Sequence, residues 1–405
     1  MEFNHICVIG LGYIGLPTSS MFAGKGVKVT GVDNNPRVVE SLRQGKVHIH
    51  EPGLPEVVAA ALQKGTLSVA SAPVEADAFI IAVPTPFYGD KKADLSFVRS
   101  AAESIVPVLR PGNLVVLEST SPPLTTQNVV KPILEQSGLK AGTDFLLAYS
   151  PERVLPGQIM KELVENVHVI GGIDEASSQA GRDLYKKIVK GEIVLTDATT
   201  SEMVKLMENT YRDVNIAIAN EFSRLADRFG VDVWEAIAIA NRHPRVRILN
   251  PGPGVGGHCI SVDPWFLVES APDITPLIRE ARQVNDAQPR FVIETLKSLL
   301  KKLEGRRVAV LGLAYKPDVD DLRESPAVEV ARKLAEQGAI VKACEPLKSE
   351  FRIEGVTVSA SIEEAISDAE VLLLLVGHAQ FKSLDPVRVA QLTTARLLLA
   401  QVIRT

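Results

Sequence analysis

Ile6-Cys7-Val8-Ile9 runs without a break into Gly10-Leu11-Gly12-Tyr13-Ile14-Gly15, and a helical pattern begins near Leu16. Few folds accept that order. An apolar β-type run has to stop, turn tightly and feed a helix, which is the opening of a βαβ unit. A second β-type run, residues 27–32, ends on Asp33. In this setting the three glycines do different things. Gly10 permits the turn, Gly12 lets the backbone meet a pyrophosphate, and Gly15 lets helix pack on strand. The helix N-terminus offers unpaired N–H groups to phosphates. Asp33 is placed to accept hydrogen bonds from ribose hydroxyls and to repel a 2′-phosphate, so the expected cofactor is NAD rather than NADP. The competing reading is an α/β turn that binds nothing.

The alternation continues. Apolar runs at 79–83, 114–117 and 145–149 end in Pro84-Thr85-Pro86, Glu118-Ser119-Thr120 and Ser150-Pro151-Glu152-Arg153. Ligands of open parallel sheets lie outside the carboxyl ends of the strands, where these polar residues fall. From 201 to 230 the period changes to that of a helix, long for a globular protein. Lys205, Asn209 and Arg212 share one of its faces, a row that is more often simply solvated. Helix is also expected over 233–241 and within 278–303. A third block echoes the first: Val308 to Tyr315 matches Ile6 to Tyr13, and Glu345 takes the place of Asp33. It lacks the second and third glycines, so a dinucleotide pyrophosphate is not expected there in the same way, while a mononucleotide is possible. The expected fold is α/β: an N-terminal Rossmann domain (1–198), a central helical domain (199–303) and a C-terminal Rossmann-like domain (304–405).

A length of 405 residues calls for more than one core. With 46 % hydrophobic and 23 % charged residues the chain reads as soluble and globular. A net charge of -5 gives no reason to expect nucleic acid or an anionic membrane as partner. The longest aliphatic run, 371–376, is far below the ~18 residues of a membrane span. Met1 to His5 shows no charged-then-apolar signal region, and three widely spaced cysteines form neither a disulfide framework nor a zinc pattern. No metal is expected, and a reducing, cytoplasmic setting fits best.

The stretch from Pro251 to Trp265 stands apart. Four glycines and two prolines in seven residues exclude helix and interior strand, and Cys259 and Asp263 follow at once. A glycine-rich loop brings backbone N–H groups close to a ligand. Cys259 suits a thiolate nucleophile and Asp263 a general base. On this stretch alone a buried structural cysteine remains equally open.

Seven motifs, VIGLGYIGLP, AVPTP, LESTSP, YSPERVLPG, EMVKLMENTYRDVNIAIANE, GPGVGGHCISVDPWF and GLAYKPDVDDLRESPA, occur in order. Through them the chain resembles the UDP-glucose and GDP-mannose dehydrogenase superfamily, the nucleotide-sugar 6-dehydrogenases, over residues 6–381. The run NRHPRVRILNPGPGVGGHCISVDPWFLVE is most similar to the UDP-N-acetylmannosamine branch, whose members make the uronic acid of bacterial surface polysaccharides.

The resemblance implies a four-electron oxidation of a sugar C6 alcohol to a carboxylate, with two NAD consumed. It makes Cys259 the nucleophile that carries a thiohemiacetal and then a thioester. Lys205 and Asn209 match the residues that stabilise the oxyanion, Asp263 the carboxylate that positions water, and Glu152 the acid of the SPE motif. Arg153, Val154, Lys205, Asn209, Arg212, His243, Arg245 and Gly256 match substrate positions, with Tyr315 and Lys316 on the nucleotide-sugar side. Gly10, Gly12, Tyr13, Ile14, Gly15, Asp33, Thr85, Thr120, Thr126 and Arg323 match cofactor positions. The long helix is the expected homodimer interface, with Arg245 reaching the neighbouring subunit's substrate. Two departures stand out. Pro123-Leu124 replaces a family glycine, which implies a stiffer loop, and residues 395–405 lack the usual Asp-containing strand end, which puts the last strand in doubt. UDP-N-acetylglucosamine or UDP-glucose are the alternative substrates. A two-electron hydroxyacid-type dehydrogenase needs neither Cys259 nor the third block, and a non-catalytic NAD sensor needs no Lys205, Asn209, Cys259 and Asp263.

Overall fold

In the computed structural model, which describes residues 1–395 and 397–400, the chain divides into two compact units, Met1–Glu208 and Asn209–Thr405. The division falls inside one 32-residue helix, Ala198–Phe229.

The first unit is built on eight strands: β1 (His5–Ile9), β2 (Lys28–Val32), β3 (Leu67–Ala70), β4 (Ala78–Ile81), β5 (Leu114–Leu117), β6 (Leu146–Tyr149), β7 (His168–Gly172) and β8 (Ile193–Asp197). Their order is β3-β2-β1-β4-β5-β6-β7-β8, and every pairing is parallel except β6 with β7. Alternate residues face opposite sides and both sides are covered. Ile6, Val8, Ile80 and Val116 enter one apolar cluster, while Cys7, Ile9, Phe79, Ile81, Val115 and Leu117 enter the other. This is why these strands read as continuous apolar runs. β4 ends at Ile81, two residues earlier than expected, and Val83 N–H donates to Ser119 Oγ at 3.0 Å rather than to a neighbouring strand.

The second unit carries five parallel strands in the order β11-β10-β9-β12-β13. They are β9 (Arg307–Leu311), β10 (Ile340–Cys344), β11 (Val356–Ser359), β12 (Val371–Leu374) and β13 (Leu397–Ala400). The doubt over the last strand is corrected here. β13 pairs parallel with β12 from Val371↔Leu397 to Leu374↔Ala400, because backbone pairing does not require the missing aspartate. The remainder of the atypical end, Arg396 and residues 401–405, lies outside the described residues. Besides the part of the long helix from Asn209 on, four helices precede this sheet in the unit: Val233–Ala240, Asp263–Ser270, Pro276–Asp286 and Gln288–Leu300.

The long helix starts where Asp197 accepts the Thr200 N–H at 2.9 Å, and it stops at Gly230, whose φ of 68 only glycine adopts without strain. No helix among the described residues is long and apolar enough to cross a membrane.

Candidate active site

Gly10 sits at φ 95, and a Cβ there would come 2.5 Å from Ala82 O, so the tight turn after β1 admits no other residue. Protein packing makes no such demand at Gly12, where a Cβ would meet no atom within 4 Å. The close approach of a pyrophosphate supplies the reason for glycine there. Tyr13, Ile14 and Gly15 lead into the helix Gly15–Gly24. At the end of β2, Asp33 accepts Leu11 N–H at 3.0 Å and Asn35 N–H at 2.8 Å, which fixes a half-exposed carboxylate beside the turn. Thr85 and Thr120 lie, half-buried, just beyond β4 and β5. These residues fit an NAD cofactor.

The equivalent turn of the second unit is closed by the protein itself. Glu345 is fully buried, accepts Leu313 and Ala314 N–H at 2.8 and 3.0 Å, and lies 3.3 Å from His378 Nε2. Its other oxygen, Oε1, accepts Leu347 N–H at 3.2 Å, so both oxygens of this buried carboxylate are bonded within the protein.

Carboxylates also hold the loops of the first unit. Glu202 on the long helix accepts Leu124 N–H at 2.6 Å, Thr126 N–H at 2.8 Å and Thr126 Oγ1–H at 2.6 Å. Thr126, read from sequence as a cofactor position, is therefore buried with its hydroxyl committed to Glu202. Leu124, in the place of the family glycine, takes φ 70. Buried Glu51 holds the next loop by accepting Gly157 and Ile159 N–H, each at 2.8 Å.

Lys205 is buried on the long helix, and its Nζ donates to the Glu152 carbonyl at 2.7 Å, which brings two predicted residues together. Arg153 forks onto Glu208 at 2.5 and 3.1 Å and reaches Val167 O at 3.0 Å, so its guanidinium is tied to the protein. Val154 lies beside it, half-buried. Burial pushes the Glu152 carboxyl up to about 7, against the Arg153 N–H and the charges of Lys205 and Arg153. Glu118 was not singled out from sequence. It is buried at the end of β5 and accepts the Tyr185 O–H. Burial and the charge of Glu152 push it up to about 8. Its Oε2 has no hydrogen-bond partner among the described residues.

In the second unit Asn209 donates to Asp263, both side chains buried, and accepts from Arg212. The glycine loop is held at its start, through both backbone groups of Gly252. Gly252 N–H donates to Asn220 Oδ1 at 2.9 Å, and Gly252 O accepts from Gln288 Nε2 at 3.0 Å. Further on, Gly257 has φ 84, and a Cβ there would lie 2.8 Å from the Tyr315 ring. Gly256 packs equally closely on Glu324 O and Pro326. Cys259 follows, half-exposed, and its carbonyl accepts Asp263 N–H at 2.8 Å. The other two cysteines are inert by contrast: burial pushes the Cys7 thiol up to about 11 and Cys344 to about 12. Lys316 places its Nζ 5.7 Å from the Tyr315 ring, and Asp321 grips Arg323. His243 and Arg245 sit exposed in a loop that Asn241 closes through two hydrogen bonds to Ile248, at 2.9 and 2.7 Å.

The NAD binding domain of the UDP-glucose/GDP-mannose dehydrogenase family matches residues 4–189, its central domain residues 199–287, and its UDP binding domain residues 309–401. The chain belongs to this family. This makes it an NAD-dependent nucleotide-sugar dehydrogenase, with a UDP-binding domain in the second unit. Among similar proteins, the UDP-N-acetyl-D-mannosamine dehydrogenase of Methanocaldococcus jannaschii is 49 % identical over 385 residues, 94 % of this chain and 87 % of that one. An NDP-N-acetyl-D-galactosaminuronic acid dehydrogenase of Ralstonia solanacearum is 47 % identical over 398 residues, 96 % and 94 % of the two chains. The solved UDP-D-ManNAc dehydrogenase of Pyrococcus horikoshii superposes with a TM-score of 0.91 at 41 % identity, covering 98 % of this chain and 95 % of that one.

Proposed function

We propose that this dehydrogenase oxidises the C6 hydroxyl of UDP-N-acetyl-D-mannosamine to the carboxylate, through a covalent intermediate on Cys259. The observation that carries this reading is the contrast among the cysteines. Only Cys259 of the three is half-exposed and set in a glycine-rich loop, while Cys7 and Cys344 are buried in sheets.

Bound NAD supplies an acceptor for one hydride in each of two successive oxidations. The Cys259 sulfur adds to C6 of the aldehyde formed in the first, giving a thiohemiacetal that keeps the intermediate on the enzyme while spent cofactor leaves. Loss of the second hydride leaves a thioester. Water adds to its carbonyl, the C–S bond breaks, and carboxylate and thiol are released. Lys205 and Asn209 stabilise the negative charge that develops on the C6 oxygen. Asp263 orients the water, and Glu152, its carboxyl raised towards neutrality, takes up and returns a proton. Arg212, His243 and Arg245 contact the substrate, with Tyr315 and Lys316 on the nucleotide side. A homodimer in the cytoplasm completes the reading.

The deciding experiment follows NADH and uronate with a panel of UDP-sugars. UDP-N-acetylmannosamine should exceed its C2 epimer UDP-N-acetylglucosamine in kcat/KM by about tenfold or more. Preference for the epimer, for a galactosamine sugar or for UDP-glucose overturns the substrate. Cys259→Ser should bind NAD and UDP-sugar yet lose turnover to the uronate, since the hydroxyl is a weaker nucleophile and a poorer leaving group. Uronate formed by that variant at near the original rate overturns the thioester route.

A further inference from the structure

Along one row, the long helix grips two loops of the first unit. Glu202, Lys205 and Glu208 follow one another at intervals of three residues, which puts them on one face. Glu202 holds Leu124 and Thr126. The other two take hold of adjacent residues in the loop after β6. Lys205 Nζ donates to the Glu152 carbonyl at 2.7 Å, and Glu208 receives the Arg153 guanidinium, Nη2 to Oε1 at 2.5 Å and Nε to Oε2 at 3.1 Å. The third guanidinium nitrogen, Nη1, donates to Val167 O at 3.0 Å, and Arg153 O accepts from Asn166 Nδ2 at 3.2 Å. An isolated half-exposed ion pair contributes little to stability. A fork has a fixed plane, however, and this one is pinned at a third point, so what it supplies is position. Beyond Arg153 the loop is anchored separately, with Leu155 N–H on Glu162 Oε2 at 2.7 Å and Gly157 and Ile159 N–H on Glu51.

The ammonium of Lys205 gives this hold its consequence. It is buried, and the Glu152 carbonyl is its one hydrogen-bond partner among the described residues. A carbonyl offers no charge to pair with, and an ammonium has three donors, so N–H groups remain for an oxygen that carries negative charge. Where they point depends on where the Glu152 carbonyl stands. We propose that Glu208 is a positioning residue, which through the Arg153 guanidinium fixes the Glu152 carbonyl on Lys205 and so aims the ammonium at the reacting oxygen. The Arg153 side chain is then a strut and not a substrate ligand, and any contact of this residue with the sugar falls to its backbone. The proposal rests on the reading of Lys205 as the cation that meets charge on the C6 oxygen.

Two readouts separate the hold from its use. Trypsin cleaves after an arginine whose guanidinium is free to enter its pocket, so nicking of the Arg153–Val154 bond in the full-length protein, read by peptide mass spectrometry, reports the fork directly. Glu208→Ala should speed that nick by about tenfold or more, the effect of losing a charge-assisted hydrogen bond on a local opening. An unchanged nicking rate overturns the proposal. Steady-state kinetics reports the use, with saturating NAD and whichever UDP-sugar turns over fastest. Glu208→Ala and Arg153→Ala should each lower kcat by about tenfold or more and leave KM for the sugar within about twofold, because binding persists while the ammonium is misplaced. The double variant should be no slower than the slower single one, since both substitutions break the same connection. Losses that multiply in the double variant, or a KM that rises when Arg153→Ala is added to Glu208→Ala, make the guanidinium a substrate ligand and overturn the proposal. An undiminished kcat in a Glu208→Ala protein that nicks fast overturns it as well. Should Arg153→Ala not fold, Arg153→Lys keeps the charge without the fork and takes its place in the cycle. Lys205→Ala isolates the underlying reading. If it keeps the original kcat, that reading fails and the use of the hold falls with it, while the trypsin rate still decides whether Glu208 holds Arg153.

Discussion

Leu124 holds a left-handed backbone conformation, φ 70, with its side chain 44 % exposed. The strain is maintained from one side: Glu202 accepts the Leu124 N–H and fixes the turn whatever residue occupies it. For an L-residue this conformation costs about 1–2 kcal/mol, and glycine's greater freedom when unfolded returns about 0.5–1 kcal/mol of that. Leu124→Gly should therefore raise stability by about 0.5–1 kcal/mol, seen as a higher urea midpoint with an unchanged slope. A lower midpoint would mean that the leucine side chain contributes more than its exposure indicates. Glu118 is the opposite case, a residue whose cost depends on pH. Its carboxyl rises from an ordinary value near 4.5 to about 8 on folding, so between those values the folded chain binds the extra proton. Stability then falls as pH rises through that window, and the full penalty is present above about 8. Glu118→Gln cannot ionise. At pH 5 it should cost about 1–3 kcal/mol for an imperfectly paired buried amide, and the gap to the unaltered protein should narrow or reverse by pH 9. Parallel curves of melting temperature against pH for the two proteins would show that Glu118 does not titrate in this window.

At the scale of elements, the regular skeleton was legible because local rules specify it. Apolar runs with covered faces became β1, β2, β4, β5, β6, β9, β10 and β12, and the helical period from 201 to 230 became Ala198–Phe229. What resisted was pairing at long sequence separation. Tyr185 and Glu118 are 67 positions apart, and Thr126 and Glu202 are 76 apart, yet each pair meets. Glu118 and Glu202 both lay inside quoted motifs. A carboxylate in a motif does not say whether it faces a ligand or holds a loop, and only burial separates the two. The same holds for Asn220, whose helical position showed a polar residue but not its bond to Gly252. That bond belongs to a chain of side chains from two helices, Ala198–Phe229 and Pro276–Asp286. Asn220 donates to Asn285 at 2.8 Å, Asn285 to Asp213 at 2.8 Å, and fully buried Arg282 donates to Asp213 at 2.5 Å. Removing one partner of such a pair leaves the other charge buried and poorly matched. Asp213→Ala should destabilise the second unit by about 3–5 kcal/mol, detectable by denaturant titration. A loss under about 1 kcal/mol would mean that Asp286, the other partner of Arg282, suffices.

For the molecule as a whole, the exposed side of the long helix is what matters most. Met207, Tyr211, Ile218, Phe222, Leu225 and Phe229 recur at helical spacing and are 40–72 % exposed. Towards the end of the helix they border an apolar groove of about 350 Å3, completed by Val233, Ile237 and Ile248. Large apolar side chains in one continuous stripe are costly to leave in water, and such a stripe marks a surface that another protein covers. A second copy of the chain is the proposed occupant. Light scattering should then give twice the chain mass of 43.7 kDa, and Leu225→Asp, which puts a charge into the groove, should give the single-chain mass. A monomer with full turnover would end the dimer reading. The exposed loop around Arg245 permits a sharper version, in which its guanidinium serves the neighbouring subunit's substrate. Cys259→Ser and Arg245→Ala homodimers should each be inactive. In a mixed dimer, an arginine acting across the interface leaves one site with both an intact cysteine and an intact arginine, so up to about half of the activity per mixed dimer should return if the two sites work independently. Mixed dimers that are shown to form and stay inactive would place the action of Arg245 within its own subunit.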